Sequence, residues 1–291
     1  MKFGLPVWYG NISSIEDEIE RAASLGFDYV EVSLDYPWPE LLGKRDIEKI
    51  LFTARKEGIE FAFHAPPEGI EIGSPWQELR ISSVNFLKNL LKWTKQFKPA
   101  YFNFHGDCGE TLGADNLVWL SAVLNSSRKS CFELGRFSKK LGIPATFENT
   151  PDPIFGLASN NDFILEATGI GLCFDFGHST IVNKLSRKAV EREDRSPKDW
   201  GRTYGKRIRA LHLHAVKGLG DHYPFSSGNT ELRRQFKQLI KGARAGHTLI
   251  EVMKESKGRV RKVSDKTFRN CLETARKWAG GGDTKRNRNI A

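Results

Sequence analysis

Residues 172–181 read "LCFDFGHSTI": an apolar run, then Asp175, then His178 three residues further on. Apolar residues bounded by a polar end mark a buried strand that surfaces at its C-terminal tip. The fold depends on how often that pattern recurs. Similar β-rich runs stand at "FGLPVW" (3–8), "YVEVSLD" (29–35), "EFAFHAP" (60–66), "YFNFHG" (101–106), "ATFENT" (145–150), "GLCFDFGH" (171–178), "RALHLHAV" (209–216) and "TLIEVM" (248–253). Helical patterns separate them, among them "SIEDEIERAASLG", "RDIEKILFTARKEG", "WQELRISSVNFLKNLLKWTKQF", "DNLVWLSAVLNSSRKSCFELGRFSKKLG", "NDFILEATG", "TELRRQFKQLIKG" and "SDKTFRNCLETARKWAG". Strand–helix alternation implies a parallel sheet covered on both faces. Eight such units in a chain of 291 residues predict an α/β fold, a single (β/α)8 TIM barrel over residues 1–278. Residues 279–291, "AGGGDTKRNRNIA", are expected to form a flexible basic tail.

Punctuation supports the helices. Ser13 stands three residues before Glu16, a capping-box spacing. Gly26, Gly58, Gly142 and Gly169 fall where left-handed C-caps are expected.

Composition narrows the class. Hydrophobic residues make up 39% and charged residues 27%, as in a soluble globular protein. No apolar run reaches the roughly 18–20 residues a membrane span needs, and "MKFGLPVWYGN" reads as a first strand rather than a leader. Cys108, Cys131, Cys173 and Cys271 are widely spaced without a C-x-x-C pair, which suits a reducing cytoplasm. The net charge of +10 divides unevenly: residues 1–150 hold 17 basic and 20 acidic side chains, whereas 151–291 hold 28 and 15. The densest stretch, 183–209, carries ten basic and four acidic residues. Such a field attracts phosphate-bearing partners, DNA or a phosphorylated small molecule, although a solvated helix laced with ion pairs has the same composition.

Barrel chemistry gathers at the C-terminal ends of the strands. There this chain carries His64, His105, Glu148, Asp175 with His178, His212 with His214, and Glu251; Asp221 and His222 follow in the loop after strand seven. Of seven histidines only His247, four residues before Glu251 and so near the barrel bottom, lies outside the set. Alternation puts His212 and His214 on one face, so either could be a ligand while the other lines the pocket. Mixed imidazole and carboxylate ligands suit Zn²⁺ or Mn²⁺, and the set is too large for one tetrahedral ion, so two or three ions are expected. Trp8, Tyr9, Tyr36 and Trp38 fall on the same rim, where they could stack on a base or sugar or pack under loops, and Cys108 reads as a buried loop cysteine.

The motifs "FHAP" (63–66), "FHG" (104–106), "FENT" (147–150), "DFGH" (175–178), "LHLH" (211–214), "DH" (221–222) and "LIEV" (249–252) resemble the xylose-isomerase-like barrel superfamily. That superfamily includes endonuclease IV-type abasic-site nucleases and sugar isomerases and epimerases. The resemblance implies a four-ligand metal core of Glu148, Asp175, His212 and Glu251. In the nuclease branch His64 and His105 would join Glu148 at another ion, and His178 and His222 would hold a third. The nucleases' Asp-x-His motif is not kept, since Gly220 stands two residues before His222, with Asp221 adjacent. Pro67 stands where the nucleases carry a DNA-probing tyrosine.

The leading expectation is zinc- or manganese-dependent phosphodiester hydrolysis at abasic sites in DNA. Glu148, Glu251 and His178 would be catalytic, with Lys217 and the basic segment on the phosphates. The alternative is a sugar or sugar-phosphate isomerase or epimerase with one ion, a Glu148/Glu251 acid–base pair, and His178 and Trp8 lining its pocket. A third possibility is a barrel that binds without catalysis. The oligomeric state is not readable from the sequence.

Overall fold

The computed structural model describes residues 1–8, 14–109, 116–185, 196–243, 245–255 and 262–280. The barrel strands are β1 (Lys2–Val7), β2 (Tyr29–Ser33), β3 (Glu60–His64), β4 (Phe102–His105), β5 (Ala145–Glu148), β6 (Gly171–Asp175), β7 (Ile208–His212) and, after a hairpin of β8 (Ala215–Lys217) and β9 (Gly220–Tyr223), β10 (His247–Leu249). The eight close in the order β1-β10-β7-β6-β5-β4-β3-β2. Every neighbouring pair is parallel. This is the (β/α)8 barrel that the strand–helix alternation predicts.

The helices are α1 (Ile15–Leu25), α2 (Lys44–Glu57), α3 (Gln77–Thr94), α4 (Leu117–Leu141), α5 (Ala158–Leu165), α6 (Phe176–Leu185), α7 (Pro197–Tyr204), α8 (Thr230–Gly242) and α9 (Asp265–Trp278). Gly26, Gly58 and Gly142 take the left-handed conformation that closes a helix. Two boundaries differ from expectation. The α1 cap is Ser14, whose hydroxyl accepts from Asp17 N–H; Ser13 lies outside the described residues. Gly169 is left-handed, but α5 has already ended at Leu165. No helix among the described residues is long and apolar enough to cross a membrane. Residues 281–291 of the expected tail and 186–195 of the basic segment lie outside the described residues.

Side-chain alternation sorts each strand into two sets. Val30, Val32, Phe61, Phe63, Phe102, Phe104, Phe147, Leu172, Phe174, Leu211 and Ile250 belong to the large buried cluster between barrel and helices. The opposite parity faces the axis. Low in the barrel it supplies a small plug of Tyr29, Ala62, Tyr101, Cys173, Ala210 and Leu249. One step further along the strands the same parity delivers Glu31, His64, Asn103, Glu148, Asp175, His212 and Glu251, all buried. Period two thus raises a polar layer directly on an apolar one.

Candidate metal centre

Glu148 sits at the middle of that layer. Its Oε2 is 3.2 Å from His64 Nε2 and 3.2 Å from His212 Nδ1. Its Oε1 is 3.4 Å from His105 Nε2 and 3.3 Å from His178 Nδ1. Asn103, absent from the expected set, donates to Oε2. Glu251 Oε2 lies 3.3 Å from His212 Nδ1 and 3.4 Å from His222 Nε2.

These spacings bear on a cation. Tetrahedral ligand atoms at about 2.0–2.1 Å from a zinc ion lie about 3.3 Å from one another. Several of the atoms are also orphaned: Glu148 Oε1, His105 Nε2, Glu251 Oε2 and both His212 nitrogens are buried without a hydrogen-bond partner in line. Buried polar atoms are nearly always paired, so orphans converging on one place fit a group that completes them. Within 4.8 Å of one another lie the ligand atoms of His64/His105/Glu148, of His178/Asp221/His222 and of His214/His222/Glu251. The candidate clusters therefore adjoin.

Tautomers separate His212 from His214, which alternation alone could not. His214 Nδ1 accepts the His222 backbone N–H at 2.9 Å, so its Nε2 carries the proton and donates to Asp175 Oδ2 at 3.0 Å. Both nitrogens are committed, and His214 orients Asp175 rather than offering a lone pair. His212 keeps Nδ1 facing Glu148 and Glu251. His178 Nδ1–H goes to Asn149 O at 3.0 Å, leaving Nε2 facing Asp221 at 3.9 Å. Asn149 also clamps the two strand ends: its side chain donates to Asp175 O at 3.0 Å and accepts Asp175 N–H at 2.8 Å.

Asp221 and His222 are adjacent on a hairpin strand, where alternation would send them to opposite faces. His222 has φ 56°, a left-handed conformation that breaks the alternation. Both side chains consequently reach the centre, Asp221 beside His178 and His222 beside Glu251. Met253 N–H and Lys254 N–H hold the kink by donating to His222 O at 3.1 and 3.2 Å.

Electrostatics follow from packing carboxylates and imidazoles together. Burial alone would lower His64 and His178, but Glu148 for the first and Asp175 with Glu148 for the second outweigh it and raise each to about 9. His222 is raised to about 10 against its burial, chiefly by Glu251. Burial would raise Glu148 and Glu251; the charge of His212 leads the effects that hold both well below the carboxylate range.

A cavity of about 240 Å³ opens above the centre. Glu31, Asp35, His64, His105, Glu148, His178, His222 and Glu251 line it, with Trp8 and Pro67 at the wall. Among the described residues, neither lysine nor arginine does. Asp175, His212 and His214 lie beneath, fully buried. Lys217 stands outside this lining, its Nζ 4.7 Å from the Tyr223 ring centroid. Trp38 is buried and Tyr36 exposed, while Tyr9 lies outside the described residues. Burial, with Asp107 beside it, pushes the Cys108 thiol up to about 12, an inert loop cysteine. His247 packs edge-on against Tyr29 and Tyr101 in the lower barrel, as its distance from Glu251 implied. Glu31 was missed: a lone glutamate between Val30 and Val32, in a strand whose other face is apolar, was the available signal.

The sequence profile described as a xylose isomerase-like TIM barrel matches residues 19–271. The chain belongs to that family. No curated protein matches the chain in sequence. Among solved structures, a D-tagatose 3-epimerase-like protein superposes with TM-score 0.72 at 18% identity, covering 96% of this chain and 97% of its own. D-allulose 3-epimerase from Methylomonas sp. gives TM-score 0.73 at 14% identity, covering 96% and 98%. Endonuclease IV from Thermus thermophilus gives 0.64 at 16%, covering 96% and 99%. At these identities the likeness shows the fold alone, so neither reaction transfers with it.

Proposed function

We propose that this family member is a divalent-metal-dependent phosphodiester hydrolase of the endonuclease IV type, acting at abasic sites in DNA. The observation that carries the reading is that two ligand-atom groups, His64/His105/Glu148 and His178/Asp221/His222, adjoin the contacts of His212 with Glu148 and Glu251. A one-ion isomerase leaves His64, His105 and Asp221 outside its four-ligand core, whereas a cluster of two or three ions uses them all. Zinc suits the mixed nitrogen and oxygen donors best, with manganese the next candidate. When bound, such ions supply Lewis acidity for a phosphate and its leaving oxygen and acidify the attacking water.

The chain's own residues prepare that chemistry. Glu148 stands between the His64/His105 pair and the Asp175/His212/Glu251 set. Asn103 donates to Glu148 itself, Asn149 holds Asp175 beside it, and Trp8 and Pro67 form part of the cavity wall. His178 keeps Nε2 on the cavity side, beside Asp221. Lys217 lies on the rim with its Nζ 4.7 Å from the Tyr223 ring centroid, placed to meet the DNA backbone, while Lys254 pairs with Asp221 Oδ1 at 3.0 Å.

The second reading is a sugar or sugar-phosphate epimerase. It is favoured by a lining that, among the described residues, includes no lysine or arginine, with Glu148 and Glu251 both on the cavity as an acid–base pair. The test is to load purified protein with zinc or manganese and assay an oligonucleotide carrying a single abasic site. Cleavage beside that site, abolished by a chelator, is expected. An intact strand, together with exchange of a ketose C–H proton for solvent deuterium, would overturn the nuclease reading for the epimerase.

A further inference from the structure

Beneath the proposed ligands runs a polar chain with no place in either reaction. Tyr29 and Tyr101 meet through their hydroxyls at 3.2 Å, and Tyr101 donates to Glu31 Oε2. Glu31 Oε1 then stands 3.2 Å from His212 Nε2. That nitrogen is fully buried and has no hydrogen bond in line. The other nitrogen of the same ring faces Glu148 and Glu251 at 3.2 and 3.3 Å.

An imidazole that ligates through one nitrogen carries its proton on the other, and a carboxylate accepting a hydrogen bond from that N–H fixes both tautomer and ring angle. Glu31 is the carboxylate on the Nε2 side. It is held from below, because burial and the Glu31 charge keep both phenols well up and so as O–H donors. The support begins at the first strand. A Cβ on Gly4 would come within 2.3 Å of the Tyr29 ring, so only glycine lets the ring lie there.

We propose that Glu31 is a positioning residue for the metal centre, accepting a hydrogen bond from His212 Nε2–H so that Nδ1 points at the ion shared with Glu148 and Glu251. Tyr101 and Tyr29 form the strut behind it. The proposal rests on the metal centre of the proposed function and on neither substrate, so failure of the DNA assay leaves it standing.

The experiment measures Zn²⁺ affinity by chelator competition, and the visible spectrum of Co²⁺-loaded protein, for wild type, E31A, E31Q and Y101F. Loss of an orienting partner typically costs about 10–100-fold in metal affinity. That loss is expected for E31A, with altered cobalt bands from a re-angled His212. E31Q keeps an acceptor oxygen and should recover part of the loss. Y101F, which leaves Glu31 in place, should lose several-fold and guards against E31A failing to fold. Wild-type affinity and cobalt bands in all variants that fold would overturn the proposal. So would E31Q losing a whole ion at saturating zinc, which would make Glu31 a ligand. A wild type that takes up neither zinc nor cobalt would overturn the metal centre itself.

Discussion

Gly177 offers a severe test of the site from a residue that is neither acid, base nor ligand. It lies in the first turn of α6, two residues past Asp175. A Cβ built there falls 1.8 Å from His214 Cε1, 2.5 Å from Nδ1 and 2.6 Å from Nε2. Carbon atoms settle at about 3.5–4.0 Å, so the ring in G177A must retreat by roughly 2 Å. His214 is buried between Asp175 and the hairpin and has nowhere to go without releasing the Asp175 Oδ2 contact at 3.0 Å and the His222 N–H at 2.9 Å. Overpacking costs about 1–3 kcal/mol, and a buried polar group left unpaired costs about 1–3 kcal/mol more. Against this, alanine gains at most about 1 kcal/mol over glycine in a helix. The clash wins, with a net loss of about 3 kcal/mol. For a chain of this size that is about 6–12 °C in melting temperature. The assay is calorimetry of metal-free G177A beside wild type, followed by metal content after zinc loading. We expect the lower melting point and reduced occupancy of the His178/Asp221/His222 group. An unchanged or raised melting point with full zinc loading would refute the wedge between Gly177 and His214, and with it the assignment of His214 as the residue that holds Asp175.

D221A should remove the ion held with His178 and His222 while leaving the others; elemental analysis showing wild-type stoichiometry would refute the role given to the hairpin carboxylate. Proton competition gives a signed pH dependence. In metal-free protein His64 and His178 are raised from 6.5 to about 9, so their contribution to stability is fully present below pH 6.5 and is lost as pH rises through about 9. Metal binding needs the ring nitrogens bare, so stabilisation by zinc runs the opposite way and grows with pH. Melting the two forms between about pH 6 and 9 should show a gap that widens with pH, and a narrowing gap would refute the reading.

Sequence legibility followed periodicity. Phe61/Phe63 against Ala62/His64, and Leu211 against Ala210/His212, alternate cleanly, so the barrel and most of its rim could be read from strand ends alone. Glu31 escaped because it lies mid-strand, a turn of the pleat below the rim where chemistry is ordinarily sought. Asn103 and Asn149 escaped because their amides act on other site groups. His212 and His214 share parity, and only their hydrogen-bond partners separate them, which no spacing records. Ser14 rather than Ser13 caps α1, the kind of one-residue slip that decides no fold.

The hairpin is a different case, and the choice of reaction turns on it. Glu148, Asp175, His212 and Glu251 come from regular strands or lie within two residues of one, and the motifs that carry them are shared by nucleases and epimerases. What the nuclease reading requires beyond them comes partly from Asp221 and His222, whose placement depends on one backbone torsion. A non-glycine residue with φ of 56° costs about 1 kcal/mol or more and persists only where its surroundings hold it. Here three bonds do so: His222 N–H to His214, and Met253 and Lys254 N–H to His222 O. A loop that only covered the barrel would relax to the extended conformation and turn one of the two side chains away. The kink is held from both its amide and its carbonyl and turns Asp221 and His222 inward together, the placement that the proposed centre of more than one ion requires.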